Sequence, residues 1–142
     1  MPMQLHPLSK DLSVTTQIAV ADIAALAALG FRSIINNRPD SEEAGQPTNA
    51  TLAAAAKQAG LDYRHIPVVS GQLQGSQVTA FAAALAGMPA PVLAFCRTGT
   101  RSSTLWALQA TGSADGILET ARAAGYDLSG LRPCLGDATH GH

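Results

Sequence analysis

No stretch of this chain stays apolar for the roughly 18 residues that a bilayer-spanning helix needs, so no membrane segment is expected. Cysteine is scarce. Cys96 and Cys134 are the only two, too few for a disulfide framework, and a reducing, cytoplasmic setting is the expectation. Excess charge is absent as well: the formal net charge is -1, so no global field draws the protein to nucleic acid or to an anionic membrane. The opening Met1-Pro-Met-Gln-Leu-His-Pro7 lacks the basic region and apolar core of a signal peptide. No histidine is spaced with a cysteine as a zinc site requires, and the terminal His140-Gly-His142 reads as a frayed tail. Neither metal nor cofactor is expected. Aromatic residues are few and alanine is abundant, in a composition otherwise ordinary for a soluble enzyme. Without an internal repeat, a low-complexity tract or a dividing linker, residues 1–142 read as one domain, long enough for a proper core.

What is present is an alternation of short apolar runs with alanine-rich helical stretches. Leu12–Thr16 reads as a first strand and Val20–Leu29 as a helix with Ile23, Leu26 and Ala27 on one face, stopped by Gly30. Phe31–Asn36 is a strand, and Arg38–Pro47 a polar loop rich in turn formers. Asn49 caps a helix to Ala59, closed by Gly60. Leu61–Pro67 reads as a strand and Val69–Gly75 as a flexible loop, with Ser76 capping a helix over Gln77–Ala86. Pro91–Phe95 has no polar position, the mark of a strand buried on both faces. Ser102–Ala110 is helical, Ser113 or Asp115 starts a last helix ending near Gly125, and Tyr126–His142 is a coil-rich tail. Strands alternating with helices imply an α/β three-layer sandwich, its mostly parallel central sheet flanked by helices. Ligands of such sheets sit off the carboxyl ends of the strands.

The chemistry concentrates in Cys96-Arg97-Thr98-Gly99-Thr100-Arg101-Ser102. A thiol at the end of a buried strand faces a helix N-terminus, where unpaired N–H groups and the helix dipole favour an anion. With Arg97 and Arg101 beside it, the same field favours the thiolate of a cysteine. Arg101 is the anion clamp, because its fork of donors binds two oxygens. Thr98, Gly99 and Thr100 supply backbone N–H groups, and Arg97 points outward to shape the pocket mouth or receive an anionic substrate. Ser102 either bonds the thiolate or caps the helix. Arg38 either binds substrate or, by preference, braces the loop through a carboxylate. His65 and Trp106 read as packed side chains. Cys134 reads as incidental, its other reading being a resolving thiol for an oxidised or persulfidic Cys96.

That loop resembles two cysteine-enzyme families. Protein tyrosine and dual-specificity phosphatases carry cysteine, two residues, glycine, two residues and arginine. Bacterial single-domain rhodaneses carry Cys-Arg-x-Gly-x-Arg-Ser, and the four residues between Cys96 and Arg101 match this tighter form. The rest resembles no rhodanese. Ile34-Ile-Asn-Asn-Arg38-Pro39-Asp40 is similar to the Asn-x-Arg-Pro segment of dual-specificity-like phosphatases. With Ala121-Arg-Ala-Ala-Gly125-Tyr-Asp-Leu, it identifies the chain, over about residues 5 to 133, as resembling the beta-lactamase-hydrolase-like (Blh) phosphatase-like family of bacteria. The resemblance implies a protein-tyrosine-phosphatase-like fold and, by the family's name, a phosphatase. Members fused to metallo-hydrolase or sulfide-oxidising domains suggest a sulfide-oxidising enzyme as a partner.

Fold does not settle chemistry. A phosphatase protonates its leaving alkoxide with an aspartate in the loop after the strand that Tyr63–Pro67 matches, and Val68–Gly75 contains no acid. General acid catalysis is worth about 10²- to 10⁴-fold. Sulfur transfer needs no such proton, because thiosulfate or a persulfide releases a stable anion. The preferred expectation is therefore a sulfurtransferase carrying a persulfide on Cys96, with the phosphatase as alternative and a non-catalytic anion-binding domain as a third reading. The substrate expected is a small anion: thiosulfate, a persulfide or a phosphoester. Asp40 is the candidate for a displaced general acid, with Glu42 and Glu43 behind it; the plainer reading of Asp40 is a solvated turn.

Overall fold

The computed structural model describes residues 4–135, so the tail histidines His140 and His142 lie outside the described residues. Five strands and five α-helices follow in the order β1 His6–Pro7, β2 Leu12–Thr15, α1 Val20–Ala28, β3 Ser33–Asn36, α2 Asn49–Gln58, β4 Asp62–His65, α3 Gly75–Gly87, β5 Val92–Phe95, α4 Thr100–Gln109 and α5 Ala114–Ala123, and a 3₁₀ turn covers Ser129–Cys134. Two of these lie beyond the sequence expectation. The two-residue β1 is too short to carry a periodicity, and the 3₁₀ turn sits in what reads as coil.

The sheet runs β1-β2-β5-β3-β4. Only β1 is antiparallel to its neighbour; the β2–β5, β3–β5 and β3–β4 pairs are parallel. The all-apolar β5 takes the central place, buried at every residue. Side chains alternate across it. Leu93 and Phe95, with Ile34, join Ile23, Leu26, Leu52 and Ala56 in the layer of α1 and α2. Val92 and Ala94, with Ile35 and Val14, join Phe81, Leu105, Trp106 and Ile117 in the layer of α3, α4 and α5. The three-layer α/β sandwich expected from the alternation is the fold observed.

Register places the functional edge. Phe95 pairs with Thr15 on one side and Asn36 on the other, and Asn36 pairs with His65. Four parallel strands thus end level, and the segments after Thr15, Asn36, His65 and Phe95 leave the sheet together.

Helix starts differ from expectation by a residue or two, for reasons of capping. Thr48, not Asn49, caps α2, its Oγ1 accepting the Thr51 N–H at 3.1 Å. α3 starts earlier than Ser76 suggests, because the Gln77 side chain turns back to accept the Gln74 N–H at 2.7 Å. α4 begins at Thr100 with Gly99 as its cap. Ser113 caps α5 by accepting from the Gly116 N–H.

Candidate active site

Cys96 follows β5 directly and is fully buried. The chain then turns through Arg97 and Thr98 to Gly99, whose φ of 92° is left-handed, a region that only glycine adopts at little cost. The turn brings the Gly99 N–H back onto the Cys96 sulfur at 3.0 Å. A side chain at Gly99 would also collide with the Tyr126 hydroxyl and press on the Thr15 carbonyl. The glycine is thus required twice, by its backbone angle and by the space beneath it. Both cysteines are free thiols, and Cys134 is exposed at the end of the 3₁₀ turn.

Arg101, in the first turn of α4, lines the pocket and lies near enough to Cys96 for the sulfur to favour its charged form. Its guanidinium is held from the far side. Nη1 donates to Glu42 Oε2 at 2.7 Å and to the Val68 carbonyl at 2.8 Å, and Nη2 donates to Glu42 Oε1 at 2.9 Å. Of five donors, Nε–H and one Nη2–H remain uncommitted to protein oxygens among the described residues. Arg101 is held in its charged form above its ordinary range, first by the Glu42 hydrogen bond and further by the neighbouring sulfur.

Glu42 is shared. Its Oε1 also accepts from Arg38 Nε at 2.8 Å. Hydrogen bonding by Arg101, then by Arg38, outweighs burial and lowers its pKa from 4.5 to about 2. Arg38 is almost wholly buried and also donates from Nη1 to Gln17 Oε1 at 3.0 Å and from Nη2 to Glu43 Oε1 at 3.1 Å. Arg38 thus ties Glu42, Glu43 and Gln17 together beside the Cys96 loop while its edge lines the pocket. It sits in a loop fixed by its own polar residues. Asn36 Oδ1 accepts the Arg38 N–H, Asn37 Nδ2 donates to the Ile66 carbonyl, and His65 Nε2 lies 2.9 Å from the Arg38 carbonyl.

Two sequence expectations are corrected. Ser102 neither bonds the sulfur nor caps the helix. It lies two residues into α4, and its Oγ donates to Asn37 Oδ1 at 2.8 Å, tying the helix to the β3 loop. Asp40 is occupied at the start of α2. Its Oδ1 accepts the Asn49 N–H at 2.7 Å, and it does not line the pocket. Thr98 and Thr100 bond each other through their hydroxyls. Arg97 is 63% exposed, with Nε 4.0 Å from Glu43, and faces outward as expected.

The pocket, about 410 Å³, is lined by Arg38, Glu42, Glu43, Ser70, Arg97 and Arg101. Its three guanidinium groups against two carboxylates leave it cationic. Glu42 as a bidentate holder is the residue the sequence undervalues, although two adjacent acids in a loop expected beside an arginine-bearing loop are a signal of charge complementarity. Tyr126, wedged beneath Gly99, enters the sequence reading only as part of the Ala121–Leu128 run, with no role of its own. Burial and the nearby sulfur raise its pKa.

Residues 4–114 match the family described as beta-lactamase hydrolase-like protein, phosphatase-like domain. Similar curated proteins include the beta-lactamase hydrolase-like proteins of Agrobacterium fabrum (strain C58) and Xylella fastidiosa (strain Temecula1), 42% and 38% identical over 106 residues. Each alignment covers 75% of this chain and 25% of the relative, so the chain spans about a quarter of the length of these curated relatives. Among solved structures, a candidate phosphatase from Neisseria meningitidis superposes with a TM-score of 0.78 and 37% identity, covering 89% of this chain and 92% of that one. The core catalytic domain of a PP-IP phosphatase from S. cerevisiae shares the fold, with a TM-score of 0.69, 16% identity and coverage of 93% and 83%.

Proposed function

This chain belongs to the beta-lactamase hydrolase-like, phosphatase-like domain family, and we propose that it is a cysteine-dependent phosphatase working through a phosphocysteine on Cys96. The observation that carries the reading is the Gly99 N–H held 3.0 Å from the Cys96 sulfur, with the Arg101 guanidinium nearby at the start of α4. Oriented donors aimed at developing negative charge are the largest single contribution in most enzymes. The Cys96 sulfur attacks phosphorus, an S–P bond forms, and the P–O bond to the leaving group breaks with its electron pair. The two spare Arg101 donors suit two equatorial oxygens of the transferring group. Water then attacks phosphorus, the S–P bond breaks back to the thiolate, and dihydrogen phosphate leaves. Glu42, Arg38 and Val68 fix the guanidinium so that little reorientation is needed in the transition state.

Sulfur transfer, the preferred expectation from sequence, rests on the four-residue spacing of Cys96 and Arg101 and on the missing acid. The relatives above support the phosphatase alternative instead, and none of them is described as a sulfurtransferase. The substrate is a small anion able to enter a cationic pocket, and a reducing compartment such as the cytoplasm keeps the Cys96 thiol free. The test is phosphate release from 4-nitrophenyl phosphate by the wild type, by Cys96→Ser and by Arg101→Lys, beside thiocyanate formation from thiosulfate and cyanide. Phosphate release lost in Cys96→Ser and strongly reduced in Arg101→Lys is the expected result. Cys96-dependent thiocyanate without phosphate release overturns the reading.

A further inference from the structure

Each carboxylate beside the pocket already has a partner, and so has the nearby histidine. Glu42 is bound by Arg101 and Arg38 and is ionised at neutral pH, so it has no proton to give. Glu43 is paired with Arg38 at 3.1 Å and faces Arg97. Asp40 caps α2, and His65 is spent on the Arg38 carbonyl outside the pocket lining. Tyr126 lies behind the loop, against Gly99. The β4–α3 connection contributes only the Ser70 hydroxyl, a very weak acid. Guanidinium groups fill the remaining wall, and they do not release protons near neutrality. Among the described residues, the pocket thus holds and orients charge without offering an acid.

Arg97 stands apart from these groups. A neighbouring recess of about 450 Å³, running along Thr16, Gln17 and residues 44–47, shares Arg38, Glu43 and Arg97 with the first pocket. Arg38 is 2% exposed and held by Glu42, Gln17 and Glu43, so Arg97, exposed and 4.0 Å from Glu43, is the cation more accessible to a group lying between the two recesses.

We propose that the site takes phosphoryl donors whose leaving group departs as a stable anion (phosphoanhydrides, acyl phosphates and aryl phosphates of acidic phenols), with Arg97 stabilising the departing charge in place of a proton. This rests on the phosphatase reading. In the first step the S–P bond to Cys96 forms and the P–O bond breaks. The leaving oxygen keeps the electron pair and departs unprotonated, beside the Arg97 guanidinium. Alkyl phosphates such as phosphoserine release a strongly basic alkoxide and are poor substrates here, by the roughly 10²- to 10⁴-fold that a general acid would supply.

The test is kcat/KM for a series of aryl phosphates of graded phenol pKa, with acetyl phosphate, pyrophosphate and a phosphoserine peptide alongside, for wild type, Arg97→Gln and Glu43→Gln. Formation of phosphocysteine is followed by mass spectrometry in the same reactions. We expect rates to fall steeply as the phenol pKa rises and the phosphoserine peptide to be hardly turned over. Glu43→Gln should leave that slope unchanged. Arg97→Gln should lower kcat/KM for pyrophosphate roughly 10- to 100-fold, the scale of one lost charge-assisted hydrogen bond, and more than for 4-nitrophenyl phosphate. A flat dependence on phenol pKa overturns the proposal while leaving the phosphatase reading intact, and a flat dependence made steep by Glu43→Gln names Glu43 as the acid. If no donor in the series phosphorylates Cys96, the phosphatase reading falls and the proposal with it.

Discussion

Glu42 grips Arg101 through both carboxylate oxygens, at 2.7 and 2.9 Å, across 59 residues of sequence. The grip links the polar loop after β3 to the first turn of α4, and it turns a mobile side chain into a fixed clamp beside Cys96. A fork-to-fork pair of this kind adds direction as well as energy.

Removing that grip is expected to impair catalysis before it impairs folding. Glu42→Gln keeps the shape but loses the charge, and kcat on an aryl phosphate should fall about 10- to 100-fold as Arg101 loses its orientation. Stability should respond to pH in a defined direction. The folded pKa of about 2 lies below the ordinary 4.5, so the contribution of Glu42 is present above pH 4.5 and is lost as pH falls toward 2. The gap in melting temperature between wild type and Glu42→Gln should accordingly be widest at neutral pH and close over that range. A gap independent of pH would contradict the ion-pair account.

Asp40→Asn tests the correction made at that residue. The amide oxygen can still accept the Asn49 N–H, so only the charge at the start of α2 is lost, at a cost of about 0.3–1 kcal/mol of stability. Turnover should stay within about 2-fold of wild type, since a lost general acid would cost about 100-fold or more. Denaturant melts and kcat/KM on 4-nitrophenyl phosphate check both parts.

Gly99→Ala introduces a side chain at φ 92° and into the Tyr126 hydroxyl. The strained backbone alone costs about 1–3 kcal/mol, and the displaced N–H should leave the Cys96 sulfur without its donor. Turnover and melting temperature should both fall. Adding Tyr126→Phe should recover part of the stability by opening space, but not the backbone term, so the double variant stays below wild type. Full recovery would contradict the role given to the glycine's backbone.

Much of this site can be read from residue order, and the limit is physical. The unbroken apolar run before Cys96 identifies a central strand because only a strand covered on both faces lacks a polar position. Gly99 and Arg101 follow it closely enough that their roles depend on local geometry alone. Arg38 as a brace follows from an arginine in a loop that also carries acids. The identity of its partners does not, because the path of the loop from Arg38 to Pro47 has no periodicity to read. The same gap makes Asp40 a candidate acid when it caps α2, and hides that Ser102 reaches Asn37. Tyr126 lies 27 residues beyond Gly99, and only the packing of the segment after α5 brings it beneath the loop. The chemistry is the least legible layer. A short Cys-to-Arg spacing and a missing acid suit sulfur transfer, while the missing acid also suits a phosphatase whose leaving group needs no proton.

The most direct test of the account is rapid acid quenching of the enzyme with a single equivalent of 4-nitrophenyl phosphate, followed by intact mass and peptide mapping. The account predicts a transient adduct of one phosphoryl group on Cys96, formed as fast as nitrophenol is released and absent in Cys96→Ser. Nitrophenol released by the wild type with no phosphorylated Cys96 at any time, or a phosphoryl group on another residue, would contradict it.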